Sequence, residues 1–229
     1  MNIAIIPARG GSKRIPRKNI KLFHGKPMIA YSIEAALNSG CFDKVIVSTD
    51  DAEIAEVAKQ YGADVPFLRP DAISDDHATT MDVMAHAITW CVENGWNIEN
   101  VCCLYATAPF VTADSLKEGY LKLIRQKSEF VFSATSFPFP IQRAIKLADN
   151  GTVKMFEPEN ELVRSQDLEE AYHDAGQFYW GTKEAFLKKK SIFTPHSTVV
   201  LLPRKRVQDI DTQEDWELAE SLYLVLNKE

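Results

Sequence analysis

Short Ile- and Val-rich runs alternating with amphipathic helical stretches predict an α/β protein with a mostly parallel, doubly wound sheet. Three observations carry that expectation. Apolar runs recur at NIAIIP, KVIVS, NVCCLY and FVFSAT. Stretches with apolar residues spaced three and four apart lie between them. The alternation then fails between Ser136 and Gly181, which predicts an inserted arm over residues 136–181 of a single domain spanning 1–229.

Asn2 to Pro7 is bounded by Pro and Gly, as suits a strand covered on both faces. Pro27 to Asn38 carries Met28, Ile29, Ile33, Ala36 and Leu37 at a helical period, and Lys44 to Ser48 is the next strand. Asp51 to Tyr61 opens with acidic residues, places Ile54, Val57 and Ala58 on one face, and ends at Gly62, the pattern of a capped helix. Thr79 to Trp96 aligns Met81, Met84, Ala87, Ile88 and Cys91, and Asn100 to Tyr105 follows as a buried strand. Ser115 to Lys127 is predicted helical and Phe130 to Thr135 extended. Beyond Ser136, the Pro-rich SFPFPIQRAIK, the DNGT turn and a short strand at Gly151 to Phe156 break the pattern, before helices at Glu184 to Lys190 and Asp215 to Leu226. Right-handed crossovers bring the loops beginning at Pro7, Thr49, Ala106 and Ser136 to the carboxyl ends of the strands, where such sheets bind ligands.

Composition narrows the function. The chain has no run of about 18 apolar residues, so no membrane span is expected, and Met1 to Ala8 lacks the pattern of a secretory leader, which predicts a cytoplasmic location. Cys41, Cys91, Cys102 and Cys103 have no CxxC spacing and read as buried thiols. His24, His77, His86, His173 and His196 have no HxH or HxxxH spacing, which argues against a histidine metal site. The formal charge of −6 opposes a nucleic-acid footprint, and no aromatic residues interleave the basic run as in a stacking platform. Yet seven Lys and Arg residues fall between Arg9 and Lys26, which marks a local anion site.

That site centres on PARGGSKRIPRKN, Pro7 to Asn19, directly after the first strand. Gly10 and Gly11 let the backbone turn its N–H groups toward an anion, Ser12 adds a hydroxyl, and Arg9, Lys13, Arg17 and Lys18 supply charge: chemically, a triphosphate cradle. It matches neither a P-loop nor GxGxxG. Asp209 and Asp211 in QDIDT form a DxD pair whose carboxylates, on one face of an extended strand, would share Mg²⁺ with phosphate oxygens.

With STDDAEIAEVAKQYGA, FLRP, YATAPF, RSQDLEEAY, AGQFYWG and DIDTQEDW following in order, the chain resembles the CMP-sugar-acid synthetase (acylneuraminate cytidylyltransferase) family over nearly its whole length. The resemblance implies a Rossmann-like sheet of the nucleotide-diphospho-sugar transferase type with an inserted dimerisation arm. CTP, an acidic sugar and Mg²⁺ are the implied ligands. It implies that Arg9, Ser12, Lys13 and Lys18 hold phosphates, Asn19 lies near the ribose and α-phosphate, Arg69 contacts cytosine, and Asp209 and Asp211 bind metal. Lys13, Lys18, Asp209 and Asp211 are then the catalytic set.

On the acceptor side, sialic acid members resemble Q-P-T-S-P where this chain has Tyr105-Ala106-Thr107-Ala108-Pro109, and N-G-A where it has Ala175-Gly176-Gln177. YATAPF and AGQFYWG are instead similar to the branch that activates pseudaminic acid, a nine-carbon keto sugar acid. Tyr105, Thr107, Arg164, Gln166, Tyr172, Gln177 and Tyr179 are the implied sugar contacts. The resemblance also implies a homodimer whose arms exchange, with Arg143 or Lys146 near the partner's phosphates and Phe137, Pro138 and Phe139 at the interface. The same chemistry on N-acetylneuraminic, legionaminic or an eight-carbon acid is an alternative, as is a silent CTP-binding module. The spacing assigns no general base.

Overall fold

The computed structural model describes residues 1–75 and 78–227, so His77 lies outside the described residues. In chain order the main elements are β1 (Asn2–Pro7), β2 (Leu22–Phe23), β3 (Lys26–Pro27), α1 (Met28–Ser39), β4 (Lys44–Ser48), α2 (Ala52–Gln60), α3 (Thr80–Glu93), β5 (Asn100–Leu104), α4 (Ala113–Gln126) and β6 (Phe130–Ser136). They continue with β7 (Ile145–Leu147), β8 (Val153–Met155), β9 (Tyr172–Thr182), α5 (Lys183–Leu187), β10 (Ser197–Leu201) and α6 (Gln213–Leu226). Among the described residues a six-stranded sheet has the order β10-β6-β9-β5-β1-β4. All neighbours pair in parallel except β9, which runs antiparallel to both β5 and β6.

Period-two alternation divides the core between two faces. Ala4 and Ile6 of β1, with Cys102 and Leu104 of β5, meet Ile29 and Ile33 of α1, Ile54 of α2 and Leu116 of α4. Ile3 and Ile5, with Val101 and Cys103, meet Met84, Ile88 and Cys91 of α3 and Phe186 of α5. The adjacent Cys102 and Cys103 thus point to opposite faces; all four cysteines are free thiols, with Cys91, Cys102 and Cys103 buried as expected and Cys41 only half-buried. Burial pushes the Cys91 thiol up to about 11. Each fully buried Ile or Phe contributes about 1.5–3 kcal/mol.

Caps place the helices. Asp51 accepts the Ile54 N–H at the start of α2, and Thr79, Thr112 and Thr212 form capping boxes before α3, α4 and α6. A third cluster joins Ile15 of the basic loop to Phe23, Met28, Phe110, Ile210 and Trp216, which ties that loop to α6 from the far end of the chain.

The irregular segment is shorter than expected. Expected to leave the sheet over 136–181, it does so only to Ala171, because β9 returns through the middle of the sheet. Phe178 and Trp180 bury on one face and Tyr179 on the other, an alternation interrupted upstream by Gly176 and Gln177. The remaining arm carries the β7–β8 hairpin and exposes Phe139, Leu147, Phe156 and Leu162.

Candidate active site

The carboxyl ends of β1 and β5 open into one crevice, and beyond the end of β4, Asp50 braces its wall through Gly10 and Arg69. A cleft of about 450 Å³ is lined by Arg9, Ser12, Lys13, Arg14, Lys18, Asn19, Thr80, Tyr105, Thr107 and Asp211, among others. It adjoins a smaller recess of about 250 Å³ that shares Pro7, Arg9 and Thr80 and has Arg69, Ser74 and Asp75 in its wall. The structure thus brings together Arg9, Ser12, Lys13, Lys18, Asn19, Tyr105, Thr107 and Asp211, with Arg69 next door.

Buried Asn19 staples the basic loop by donating Nδ2 to the Arg9 carbonyl at 2.9 Å. Two expectations about the loop change. The Gly10 N–H donates to Asp50 Oδ1 at 3.0 Å rather than toward the cleft, and neither Gly10 nor Gly11 lines it. A Cβ on Gly10 would lie 2.6 Å from Asp51 Oδ2, so this glycine serves close packing rather than amide presentation. Arg17, in the left-handed region at φ 57°, turns from the cleft to grip Asp51 and Glu53. The grip holds the Asp51 carboxyl down at about 2.

Asp209 and Asp211 lie not in a strand but in the irregular stretch before α6. Buried Ile210 between them anchors that stretch in the Ile15 and Trp216 cluster. Asp211 pairs with Arg14 at 2.8 Å and Lys18 at 3.3 Å, and Lys18 also donates to the Ile210 carbonyl at 2.5 Å. Much of Asp209 reaches solvent, yet partial desolvation of its carboxyl, then the charge of Asp211, holds its pKa above the usual value. Two mutually repelling carboxylates beside a cationic cleft are hard oxygen donors of the kind a divalent cation takes together with phosphate, so the pair fits Mg²⁺. Among the described residues no group of three or more His, Cys, Asp or Glu forms a self-sufficient cage, and substrate oxygens would complete the ligand set.

In the recess, Arg69 is 5% exposed, donates Nε to Ser74 Oγ at 3.1 Å and lies 3.6 Å from Asp50. Burial lowers its pKa, against the pull of Asp50. Asp50 therefore holds both the loop, through Gly10, and Arg69. Sequence reasoning passed over Asp50, Arg14 and Thr80. Their signals were a carboxylate just beyond the end of β4, a cation inside the basic run and a hydroxyl at the start of α3.

The remaining implied sugar contacts lie away from this chain's own cleft. Arg164 makes a two-point pair with Asp167, at 2.6 and 3.1 Å, on the exposed arm, and Gln166 lines a separate arm hollow with Phe137 and Phe139. Tyr172 donates to Glu170 at 2.7 Å. Gln177 is buried, with Nε2 on the Arg206 carbonyl at 2.5 Å and Oε1 unpartnered among the described residues. Tyr179 is buried behind Tyr105. The alternation of β9 turns Tyr179 into the interior, and Gln177, at the irregularity beside Gly176, is buried as well rather than facing the crevice.

Residues 3–226 match the family model described as Cytidylyltransferase. The chain is 55% identical to the pseudaminic acid cytidylyltransferase of Campylobacter jejuni subsp. jejuni serotype O:2 over 98% of this chain and 97% of that protein. It is 34% identical to the CMP-N,N'-diacetyllegionaminic acid synthase of Legionella pneumophila subsp. pneumophila, over 99% of this chain and 97% of that one. The fold is similar to the solved structure of CMP:2-keto-3-deoxy-manno-octonic acid synthetase complexed with CTP, with a TM-score of 0.69, 15% identity and coverage of 97% of this chain and 98% of that one.

Proposed function

The chain belongs to the cytidylyltransferase family, and from that premise we propose that it joins CMP from CTP to pseudaminic acid and releases pyrophosphate. The observation that carries the acceptor choice is the 55% identity, over almost the full length of both chains, to a pseudaminic acid cytidylyltransferase; the legionaminic acid relative stands at 34%. The basic cleft supports the nucleotide half of the reaction.

In this reading Arg9, Ser12, Lys13 and Lys18 hold the triphosphate, Asn19 borders the ribose and α-phosphate, and Arg69 reads cytosine in the adjoining recess. Tyr105 and Thr107 border the sugar acid. The anomeric hydroxyl attacks the α-phosphorus in line: an oxygen–phosphorus bond forms, the bond to the β-phosphate oxygen breaks, and the hydroxyl proton is released. Lys13 and Lys18 stabilise the charge that gathers on the departing pyrophosphate. Asp209 and Asp211 would hold Mg²⁺, which when bound supplies charge neutralisation on the phosphates.

The molecule acts in the cytoplasm as a homodimer, its arms reaching across to the partner's cleft. Among the described residues no helix is long and apolar enough to cross a membrane. Arg143, Lys146, Arg164 and Gln166 on the arm, and Tyr172 at its base where β9 begins, are then available to a second copy of the chain. Gln177 and Tyr179 support the pocket from behind.

Pyrophosphate release with CTP and Mg²⁺, across pseudaminic, legionaminic, N-acetylneuraminic and eight-carbon acids, tests the assignment. Release with pseudaminic acid alone is expected. Release with another acid would replace the acceptor, and silence across the panel with CTP still bound would leave a nucleotide-binding module.

A further inference from the structure

Where β4 ends, three consecutive residues hold the neighbouring chain. The Ser48 carbonyl accepts the Ala8 N–H at 3.0 Å, and the Thr49 carbonyl accepts the Arg69 N–H at 2.7 Å. Thr49 and Leu68 also form a parallel bridge, so the segment carrying Arg69 runs alongside the end of β4. Asp50, the third residue, works through its side chain. Its Oδ1 accepts the Gly10 N–H at 3.0 Å and stands 3.6 Å from Arg69 Nη2. One oxygen therefore meets both the basic loop and the arginine of the recess.

Asp50 itself lines neither cavity, but what it holds lines both. On one side the Ser12 N–H closes a tight turn on the Gly10 carbonyl at 3.0 Å, so the placement of Gly10 sets that of Ser12 and Lys13 in the cleft. On the other side Arg69 forms part of the recess wall.

The two contacts need different properties of the same group. The Gly10 N–H needs an acceptor oxygen, which a neutral amide supplies as a carboxylate does. Arg69 needs the charge. Its side chain is 3% exposed, against 24% for that of Asp50, and 3.6 Å is an ion-pair contact longer than a normal hydrogen bond. Arg69 Nε is committed to a neutral partner, Ser74 Oγ, at 3.1 Å. Among the described residues Asp50 is the carboxylate paired with this buried cation, and a buried cation deprived of its counter-charge is driven toward water. An arginine presents donors alone. Cytosine offers two adjacent acceptors, ring N3 and O2, where uracil has an N3–H beside O2, so a guanidinium kept in the recess favours cytosine.

We propose that Asp50 is a positioning residue with two separable roles: its oxygen sets the triphosphate loop through Gly10, and its charge keeps Arg69 in the recess to choose cytosine over uracil. The inference rests on the reading that Arg69 faces the base of CTP.

Equilibrium binding of CTP, UTP and inorganic tripolyphosphate, each with Mg²⁺, to wild type, Asp50→Asn, Asp50→Ala and Arg69→Ala tests it without any sugar acid. Wild type binds CTP more tightly than UTP. Asp50→Asn keeps an oxygen for the Gly10 N–H, so its affinity for tripolyphosphate stays within about threefold of wild type. Its preference for CTP over UTP falls about tenfold or disappears, the worth of one good hydrogen bond to a charged group. Asp50→Ala loses the oxygen as well and binds tripolyphosphate about tenfold more weakly. Adding Asp50→Asn to Arg69→Ala costs no further preference, because both changes act on one guanidinium.

A full CTP preference in Asp50→Asn would overturn the inference. So would an equal loss of all three ligands at unchanged preference, the result of a merely structural role, with the thermal midpoint of each variant reporting on its fold. In both cases Arg69 still reads the base and only the role of Asp50 is lost. A wild type that does not prefer CTP, or an Arg69→Ala variant that keeps the preference, would remove the base-reading role of Arg69 and the inference with it.

Discussion

Arg17 grips Asp51 at two points, one guanidinium nitrogen on each carboxylate oxygen, and so fastens the far end of the basic loop to the first turn of α2. Asp51 Oδ1 also accepts the Ile54 N–H at 3.0 Å, so one carboxylate caps a helix and anchors a loop. Arg17 reaches a third oxygen, Glu53 Oε2, at 2.5 Å. This cation of the cradle motif therefore shapes the cradle, while Arg9, Lys13 and Lys18 line it.

The pair gives stability a specific pH dependence. The Asp51 pKa is lowered to about 2, chiefly by the hydrogen bond from Arg17, against an unfolded value of about 3.9. A depressed folded pKa means stabilisation that is complete above the unfolded value and lost as pH falls through the folded one. Asp51→Asn keeps the helix cap and removes the charge, so at pH 7 it should cost about 1–2 kcal/mol. In urea denaturation the gap between wild type and variant should hold down to about pH 4 and close toward about pH 2. A gap independent of pH would show that the charge contributes nothing.

Gly10 and Gly11 should respond differently to the same added methyl group. A Gly10 Cβ would meet Asp51 Oδ2 at 2.6 Å and Asp51 Cβ at 3.0 Å, and Arg17 and the helix cap hold Asp51 in place, so the loop must move instead. A Gly11 Cβ meets nothing within 4 Å. Gly10→Ala should lower kcat/KM for CTP about 100-fold, the scale of a displacement of about 1 Å in a positioning element. Gly11→Ala should stay within about threefold of wild type, a change worth under about 1 kcal/mol. Equal effects would return both glycines to the amide-cradle role.

How far the sequence could be read follows the range of each signal. The runs at β1, β4, β5 and β6 and the caps at Asp51 and Thr79 are local patterns, and the structure has those elements where the pattern places them. β9 was hidden because its partners, β5 and β6, lie far away in sequence, and Gly176 and Gln177 interrupt its alternation. The basic loop announced the cleft through its density of cations. That Arg17 would turn away and Arg14 would pair with Asp211 depended on partners about 34 and 197 residues distant, which no local spacing encodes. The inward turn of Gln177 and Tyr179 likewise depends on the register of β9.

Asp211 is the carboxylate on which the cleft's cations converge, at 2.8 Å from Arg14 and 3.3 Å from Lys18. Asp211→Ala should abolish measurable turnover while leaving the thermal midpoint within a few degrees of wild type, because Ile210 and Trp216 still anchor the segment. Lys13→Ala should cut kcat/KM for CTP at least about 100-fold, the range found for removal of one transition-state donor. Chelation of divalent cations should silence the wild type, with recovery on adding Mg²⁺. Normal turnover by Asp211→Ala would remove the metal role from this pair.

The arm offers the test of assembly. Leu162 is 92% exposed, Phe139 79% and Leu147 71%, a concentration of apolar side chains that a chain acting alone would leave in water. Phe139→Glu with Leu162→Glu places two charges on that surface without touching the cleft or the sheet. Sedimentation velocity should find the wild type dimeric and the double variant monomeric. If the arm completes the partner's cleft, pyrophosphate release should fall with dimer content and return as protein concentration drives reassociation. A variant that is monomeric yet fully active would separate assembly from catalysis and return Arg143, Lys146 and Arg164 to structural roles within the arm. A monomeric wild type would end the exchanged-arm reading altogether.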